Sequence, residues 1–323
     1  MRSPEFWAKN SIISRFLSPL GFVYGYAVAA RSRRIKPVRI DCPVVCVGNL
    51  VAGGAGKTPV ALAVADRLIE LGYAPHFLTR GYGGSITGPQ LVDLVRHTAT
   101  NVGDESILLA RQAPTWVSQD RVAGAKAANL AGADVIVMDD GFQNHALRKD
   151  LSLVVIDGGY GFGNGRVMPA GPLREFQHDG LLRADAIVVI GSISERTAAI
   201  LPEDIPVFEA SVVPNSKLRY DHSQVLAFAG IGLPDKFYAT LLATGIHVIE
   251  TRSFPDHHHY SAGEIRELKS AASRYGAKLV TTEKDFVRLS PAAAQDVESF
   301  PISIEWNDCA AFELFLSQVL DDG

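Results

Sequence analysis

Residues 43–59 read PVVCVGNLVAGGAGKTP. Pro43–Val47 is a short apolar run that fits a buried strand. Gly48–Thr58 is a glycine-rich turn. Pro59–Leu71 has helical spacing, with Pro at an early helical position and Gly72 just past the end. Strand, glycine-rich turn and helix in that order make the setting of a phosphate loop. Glycines let backbone N–H groups curl around an anion, and the helix N-terminus adds its positive end. The expected cradle is Val51, Ala52, Gly53, Gly54, Ala55, Gly56, Lys57 and Thr58. Lys57 is expected to reach the β- and γ-phosphates, and the Thr58 hydroxyl to hold Mg²⁺. The strict pattern GxxxxGK[ST] fails at its first position, which is Val51.

Two details narrow the nucleotide and the class. Ala52 stands where partition-type membrane ATPases carry a second Lys, which weakens a dimerising-switch reading. Thr282-Glu283-Lys284-Asp285 has the wrong order for a guanine-reading NKxD motif. ATP is the expected nucleotide.

Outward from the loop, short apolar runs alternate with helical segments. Strands are expected at His76–Thr79, Thr115–Ser118, Val135–Met138, Leu153–Ile156 and Ile187–Ile190, with helices at Asp104–Gln112 and Asp120–Leu130. This rhythm predicts an α/β fold of the P-loop NTPase kind, a mainly parallel sheet with helices on both faces. It pauses over 201–220, where Ile205–Val213 reads as a longer strand. It resumes with strands at Val225–Ala229, His247–Glu250, Leu279–Thr282 and Ile302–Trp306. The expected division is 1–40, an amphipathic helical segment; 41–215, the kinase core; and 216–323, a smaller α/β domain.

The 323 residues are 47% hydrophobic and 20% charged, which marks a folded chain of one large or two ordinary domains. A net charge of −4 argues against nucleic acid as a partner held by bulk charge. Three cysteines (Cys42, Cys46, Cys309) make no disulfide framework and read as thiols of a reducing compartment. The average hides the first 40 residues. They carry Arg2, Lys9, Arg15, Arg31, Arg33, Arg34, Lys36 and Arg39 against Glu5 alone. Between them Phe16–Ala30 is apolar, about 15 residues interrupted by Pro and Gly, where a spanning helix needs about 20. A secretory signal would conflict with an ATP site. The segment is expected to lie on an anionic membrane surface, with Phe6, Trp7, Phe16 and Phe22 dipping in.

Acidic groups stand at predicted strand ends. Asp139 and Asp140 close the apolar strand Val135–Met138, the edge that lines a ligand crevice in open α/β sheets. They are candidate Mg²⁺ residues with Thr58, and adjacent positions on a strand require that their roles differ. Asp104 and Glu105 precede an apolar helix. Spacing alone allows a helix cap or a carboxylate that accepts a substrate hydroxyl proton. Arg174 can neutralise transferred phosphate. In Asp256-His257-His258-His259 the histidines cannot all face one ion, and a His–carboxylate pair for proton transfer is the alternative to solvated loop residues.

Taken together, VGNLVAGGAGKTP (47–59), TRGYGG (79–84), VGDE (102–105), DDGFQ (139–143), LVVIDGGYGFGNGRVMPAGPLRE (153–175), AFAGIGLPDKF (227–237), FPDHH (254–258) and TTEKD (281–285) resemble the tetraacyldisaccharide 4′-kinases of lipid A synthesis, in order and across almost the whole chain. The resemblance implies transfer of the ATP γ-phosphate to the 4′-hydroxyl of a tetraacylated glucosamine disaccharide 1-phosphate, at the cytoplasmic face of the bacterial inner membrane. It implies Asp104 as general base, His257 as its assistant, Arg174 as a charge-stabilising arginine, Lys57 and Thr58 as phosphate and Mg²⁺ residues, and Asp139–Asp140 as the Walker-B-like pair. No protein partner follows from it. Asn144 departs from the His that commonly follows DDGFQ. A membrane-associated P-loop ATPase switch without a lipid substrate is the alternative.

Overall fold

The computed structural model describes residues 4–215 and 224–321. Arg2 and residues 216–220 of the predicted interruption lie outside the described residues. Among the described residues there are thirteen strands: β1 Val44–Gly48, β2 Pro75–Thr79, β3 Gln90–Leu91, β4 Thr115–Val117, β5 Val135–Asp139, β6 Leu151–Asp157, β7 Ala186–Ile190, β8 Val207–Pro214, β9 Gln224–Ala229, β10 His247–Ser253, β11 Lys278–Thr282, β12 Val297–Phe300 and β13 Ile302–Trp306.

Nine strands form one sheet in the order β13-β8-β7-β6-β1-β5-β2-β4-β3. All neighbours from β8 to β4 run parallel, and the two edge strands β13 and β3 are antiparallel. β1, β2, β5 and β6 are buried along their whole length, because helices cover both faces and leave no solvated side to alternate with. The chain leaves β1 toward β2 and returns from β5 to β6 on the opposite side of β1. That reversal opens a crevice at the carboxyl ends of β1, β5 and β6. The second sheet is fully parallel, β10-β9-β11-β12, with an apolar cluster on each face.

The expected carboxy-terminal domain 216–323 does not close on itself. β13 pairs with β8 in the first sheet, and the last helix, Cys309–Asp321, packs there too. Phe312, Leu316 and Leu320 recur at helical spacing and need a core. They find it against Phe208 and Trp306, with the Trp306 and Phe312 rings stacked 3.8 Å apart.

The amino-terminal segment also differs from expectation. A single helix runs from Ile12 to Arg34, 23 residues, straight through Pro19. Ser18 donates its hydroxyl to the Ser14 carbonyl in the turn before that proline. The helix is long and apolar enough to cross a membrane by length and composition, and little of it is buried. Its buried stripe is Ser14, Gly21 and Gly25. There the absence of side chains matters: a Cβ on Gly21 would stand 2.6 Å from the Val167 carbonyl, and one on Gly25 would stand 2.5 Å from the Phe176 ring. On the opposite stripe Ile12, Phe16, Leu20 and Val23 are exposed. Trp7, expected to face lipid, turns inward instead: its indole N–H donates to the Pro169 carbonyl at 3.0 Å. Phe6 is half-buried, and its carbonyl accepts from the Asn164 amide.

Candidate functional site

The predicted loop leaves β1 and enters the helix Lys57–Glu70. Gly53 and Gly56 have φ of 117° and 80°, values that bulkier residues resist. Gly56 is the helix N-cap and has no side chain to occupy the first N–H groups, which leaves them for an anion. Val51 explains the broken consensus. Its backbone bridges Leu173, its side chain is part of the apolar core, and the Ala52 N–H donates to the Pro172 carbonyl at 2.7 Å. A β-like buried position suits valine and has no need of glycine.

The two strand-end aspartates diverge as the strand geometry requires. Asp139 is buried and accepts from the Thr58 hydroxyl at 3.0 Å through Oδ2. Its Oδ1 is buried without a hydrogen-bond partner among the described residues. Burial, then the neighbouring Asp140 charge, pushes the Asp139 carboxyl above its ordinary value. Asp140 adopts φ 51° and swings away. Arg174 donates to both its oxygens, at 2.8 and 3.4 Å, and Lys57 Nζ stands 3.8 Å from Oδ1. Burial opposes ionisation of Asp140, but Lys57 and Arg174 outweigh it and hold the carboxyl below its usual range. Burial lowers the Lys57 ammonium more than Asp140 raises it. An orphan carboxylate oxygen beside a hydroxyl is an oxygen donor set that fits Mg²⁺.

Gln143, the last residue of the DDGFQ motif, braces this corner. Its amide donates to the Asn49 carbonyl at 2.9 Å and to Glu175, and its oxygen accepts from Arg174. Glu175 is buried and receives both forks of Arg183 at 2.8 and 2.9 Å. Asn144, where a His was expected, closes a turn by accepting from the Ala146 and Leu147 N–H groups.

Asp104 does not cap its helix. The cap is Gly103, with φ 86°, packed so closely on Tyr82 that a Cβ would meet the Tyr82 carbonyl at 2.5 Å. The TRGYGG loop thus fixes the start of this short helix. Asp104 is buried, with Oδ2 3.4 Å from His257 Nδ1 and in an ion pair with Arg288 Nη2. Glu105 accepts from Lys284 at 2.8 Å. Burial would raise the Asp104 carboxyl, yet hydrogen bonds with Glu105 and His257 and the Arg288 and Lys284 charges hold it far below the usual range. The hydrogen bond to Asp104 raises the His257 imidazole against the effect of burial. Tyr82 lies 5.2 Å from the His257 ring. The three-histidine run splits up: His258 goes to Glu264 at 3.0 Å and stacks on Phe254.

Asp104, Glu105 and His257 place ligand atoms within 4.8 Å of one another. Lys284 and Arg288 already supply the positive charge a metal would bring there. Neither was given a role from sequence, although Lys284 lies in the TTEKD motif. Its charge reaches both centres, acting on Asp104 and Glu105 and also on Lys57 and Asp139. The two clusters therefore share one crevice. The Ile231–Pro234 turn also closes on the loop, where a Cβ on Gly232 would stand 3.9 Å from the Gly54 nitrogen.

A model of the LpxK family, described as tetraacyldisaccharide-1-P 4′-kinase, matches residues 13–321. A tetraacyldisaccharide 4′-kinase of Paramagnetospirillum magneticum is 52% identical over 309 residues, 95% of each chain. One of Rhodospirillum rubrum is 49% identical over 325 residues, 99% of this chain and 98% of that one. Among solved structures, an "apo" form LpxK from Aquifex aeolicus in complex with ATP matches with a TM-score of 0.79 at 26% identity, over 96% of this chain and all of the other.

Proposed function

The chain belongs to the tetraacyldisaccharide-1-P 4′-kinase family, and on that premise we propose that it transfers the γ-phosphate of ATP to the 4′-hydroxyl of a tetraacylated glucosamine disaccharide 1-phosphate, giving lipid IVA. The observation that carries the reading is the meeting of Asp104, from the helix packed on the first sheet, with His257, from the loop that follows β10 of the second, at 3.4 Å in the crevice that holds the phosphate loop.

Residues 51–58 cradle the phosphates. Lys57 and the helix N-terminus bear on the β- and γ-phosphates. Thr58 Oγ1 and Asp139 would hold Mg²⁺, which would supply charge screening for the phosphoryl oxygens. Asp140 keeps Lys57 and Arg174 in place, and Arg174 turns toward the phosphoryl group as its charge spreads. Asp104 accepts the hydrogen of the sugar hydroxyl and aims the oxygen in line. A carboxylate held strongly anionic suits this chemistry. In a loose transition state the proton leaves late, so orientation outweighs base strength. His257 stabilises the protonation change at Asp104.

The helix Ile12–Arg34 lays its Ile12–Phe16–Leu20–Val23 face in the cytoplasmic leaflet of the inner membrane, with Arg31, Arg33 and Arg34 at the headgroups. Its glycine face stays on the 163–176 loop, so lipid cannot surround it as it would a spanning helix. The test is acceptor dependence. ATP consumption should require the lipid disaccharide 1-phosphate in vesicles or mixed micelles. Equal consumption without it, or stimulation by a protein instead, favours the ATPase-switch reading.

A further inference from the structure

The closest partner of Asp104 is Arg288, and its anchorage distinguishes it from an incidental ion pair. Arg288 is almost wholly buried. Its Nη1 donates to Asp285 Oδ1 at 2.9 Å and to the Gly230 carbonyl at 2.8 Å, while Nη2 reaches across to Asp104. Asp285 is buried and fully engaged, accepting from the Gly230 N–H, the Tyr260 hydroxyl and the Thr282 hydroxyl. The Gly230 carbonyl also accepts the His257 N–H at 3.0 Å. Arg288 and His257, two of the groups that meet the Asp104 carboxylate, therefore hang from one carbonyl just past the end of β9. Asp104 itself opens the short helix Asp104–Ala110, whose Leu109 packs into the core of the first sheet. The carboxylate is complete only when the two sheets are docked in this register.

Resting on the assignment of Asp104 as the proton acceptor, we propose that Arg288 is a positioning residue for phosphoryl transfer: it fixes the Asp104 carboxylate and ties its orientation and charge to docking of the second sheet. The groups facing Asp104 are Arg288, His257, Glu105 and Lys284. Arg288 and Lys284 favour the anion, and His257 donates to it. Glu105 is the neighbouring acid, itself raised first by burial. The guanidinium has two functions here. Its charge keeps the carboxylate ionised, and its planar fork sets an angle that a lysine cannot reproduce.

Arg288→Gln and Arg288→Lys separate the two functions. The measurement is kcat against pH, with the KM for ATP, in the full chain with ATP, Mg²⁺ and the lipid acceptor. Thermal melting checks that each variant is folded. Arg288→Gln should move the acid limb of kcat upward by about 1–3 pH units, the span a removed neighbouring charge produces. It should also lower kcat on the order of 10²-fold with little change in the KM for ATP. Arg288→Lys should return the limb to its wild-type position and leave most of the kcat loss. A folded Arg288→Lys enzyme with wild-type kcat, or an Arg288→Gln acid limb coincident with wild type, overturns the proposal. Asp104→Asn is the control for the underlying assignment. If it keeps the wild-type kcat and acid limb, the base assignment fails, whatever Arg288 does.

Discussion

Asp139 keeps one oxygen on the Thr58 hydroxyl and buries the other without a partner among the described residues. Such a group costs free energy unless a cation completes it. Its carboxyl is raised by burial, so the fold binds its proton more tightly than the unfolded chain does. Stability at this residue is greatest at low pH and lost as pH rises through the folded value. Asp139→Asn should therefore melt higher than wild type at neutral pH without Mg²⁺, and lose phosphoryl transfer. A lower melting temperature would contradict this. His257 is raised by its bond to Asp104. Its stabilising share is fully present below the ordinary histidine value and fades as pH rises through the raised one. Melting of wild type against His257→Asn should differ more near pH 6 than near pH 9. Lys57, Thr58 and the Asp139–Asp140 pair were legible because they sit next to one another on a strand, a turn and a helix. Arg288 was not. It lies 184 residues from Asp104, on a segment whose Glu-Lys-Asp pattern reads like any solvated helix end. Only docking of the second sheet turns that charge inward.

At the scale of the element, the helix Ile12–Arg34 has two stripes with different duties. Phe16→Ser with Leu20→Ser touches only the exposed stripe, so it should weaken partition into anionic vesicles while leaving melting and the KM for ATP near wild type. Gly25→Leu places a side chain into the Phe176 ring. It should cost about 1–3 kcal/mol of stability, as overpacking does, and disturb the loop that carries Arg174. Equal effects of the two variants on vesicle binding and melting would refute the division. The sequence showed the basic, aromatic character of this region but mistook its length. Composition counts Pro19 and the glycines as interruptions. The structure keeps Pro19 inside the helix and uses Gly21 and Gly25 for close contact with the 163–176 loop. Val51 shows the same limit at a smaller size, since a consensus cannot report that its first position pairs with Leu173.

Across the whole molecule, the two sheets meet through Arg288 with Asp104, Lys284 with Glu105 and Lys236 with Asp157. The parallel first sheet was legible from its apolar runs and helical intervals. The return of β13 was not, because an edge strand's partner is chosen by packing at a distance. The Trp306 and Phe312 rings decide it here. On the proposed assignment neither sheet alone holds a working site: the phosphate loop lies on one, and His257 and Arg288 on segments of the other. The most direct test is transfer of labelled γ-phosphate from ATP to the tetraacylated disaccharide 1-phosphate by Asp104→Asn, with ATP affinity measured on the same preparation. The account predicts that transfer falls on the order of 10²–10⁴-fold, the range of general acid–base catalysis, while ATP affinity stays near wild type. Comparable losses in both, or transfer that persists, would contradict it.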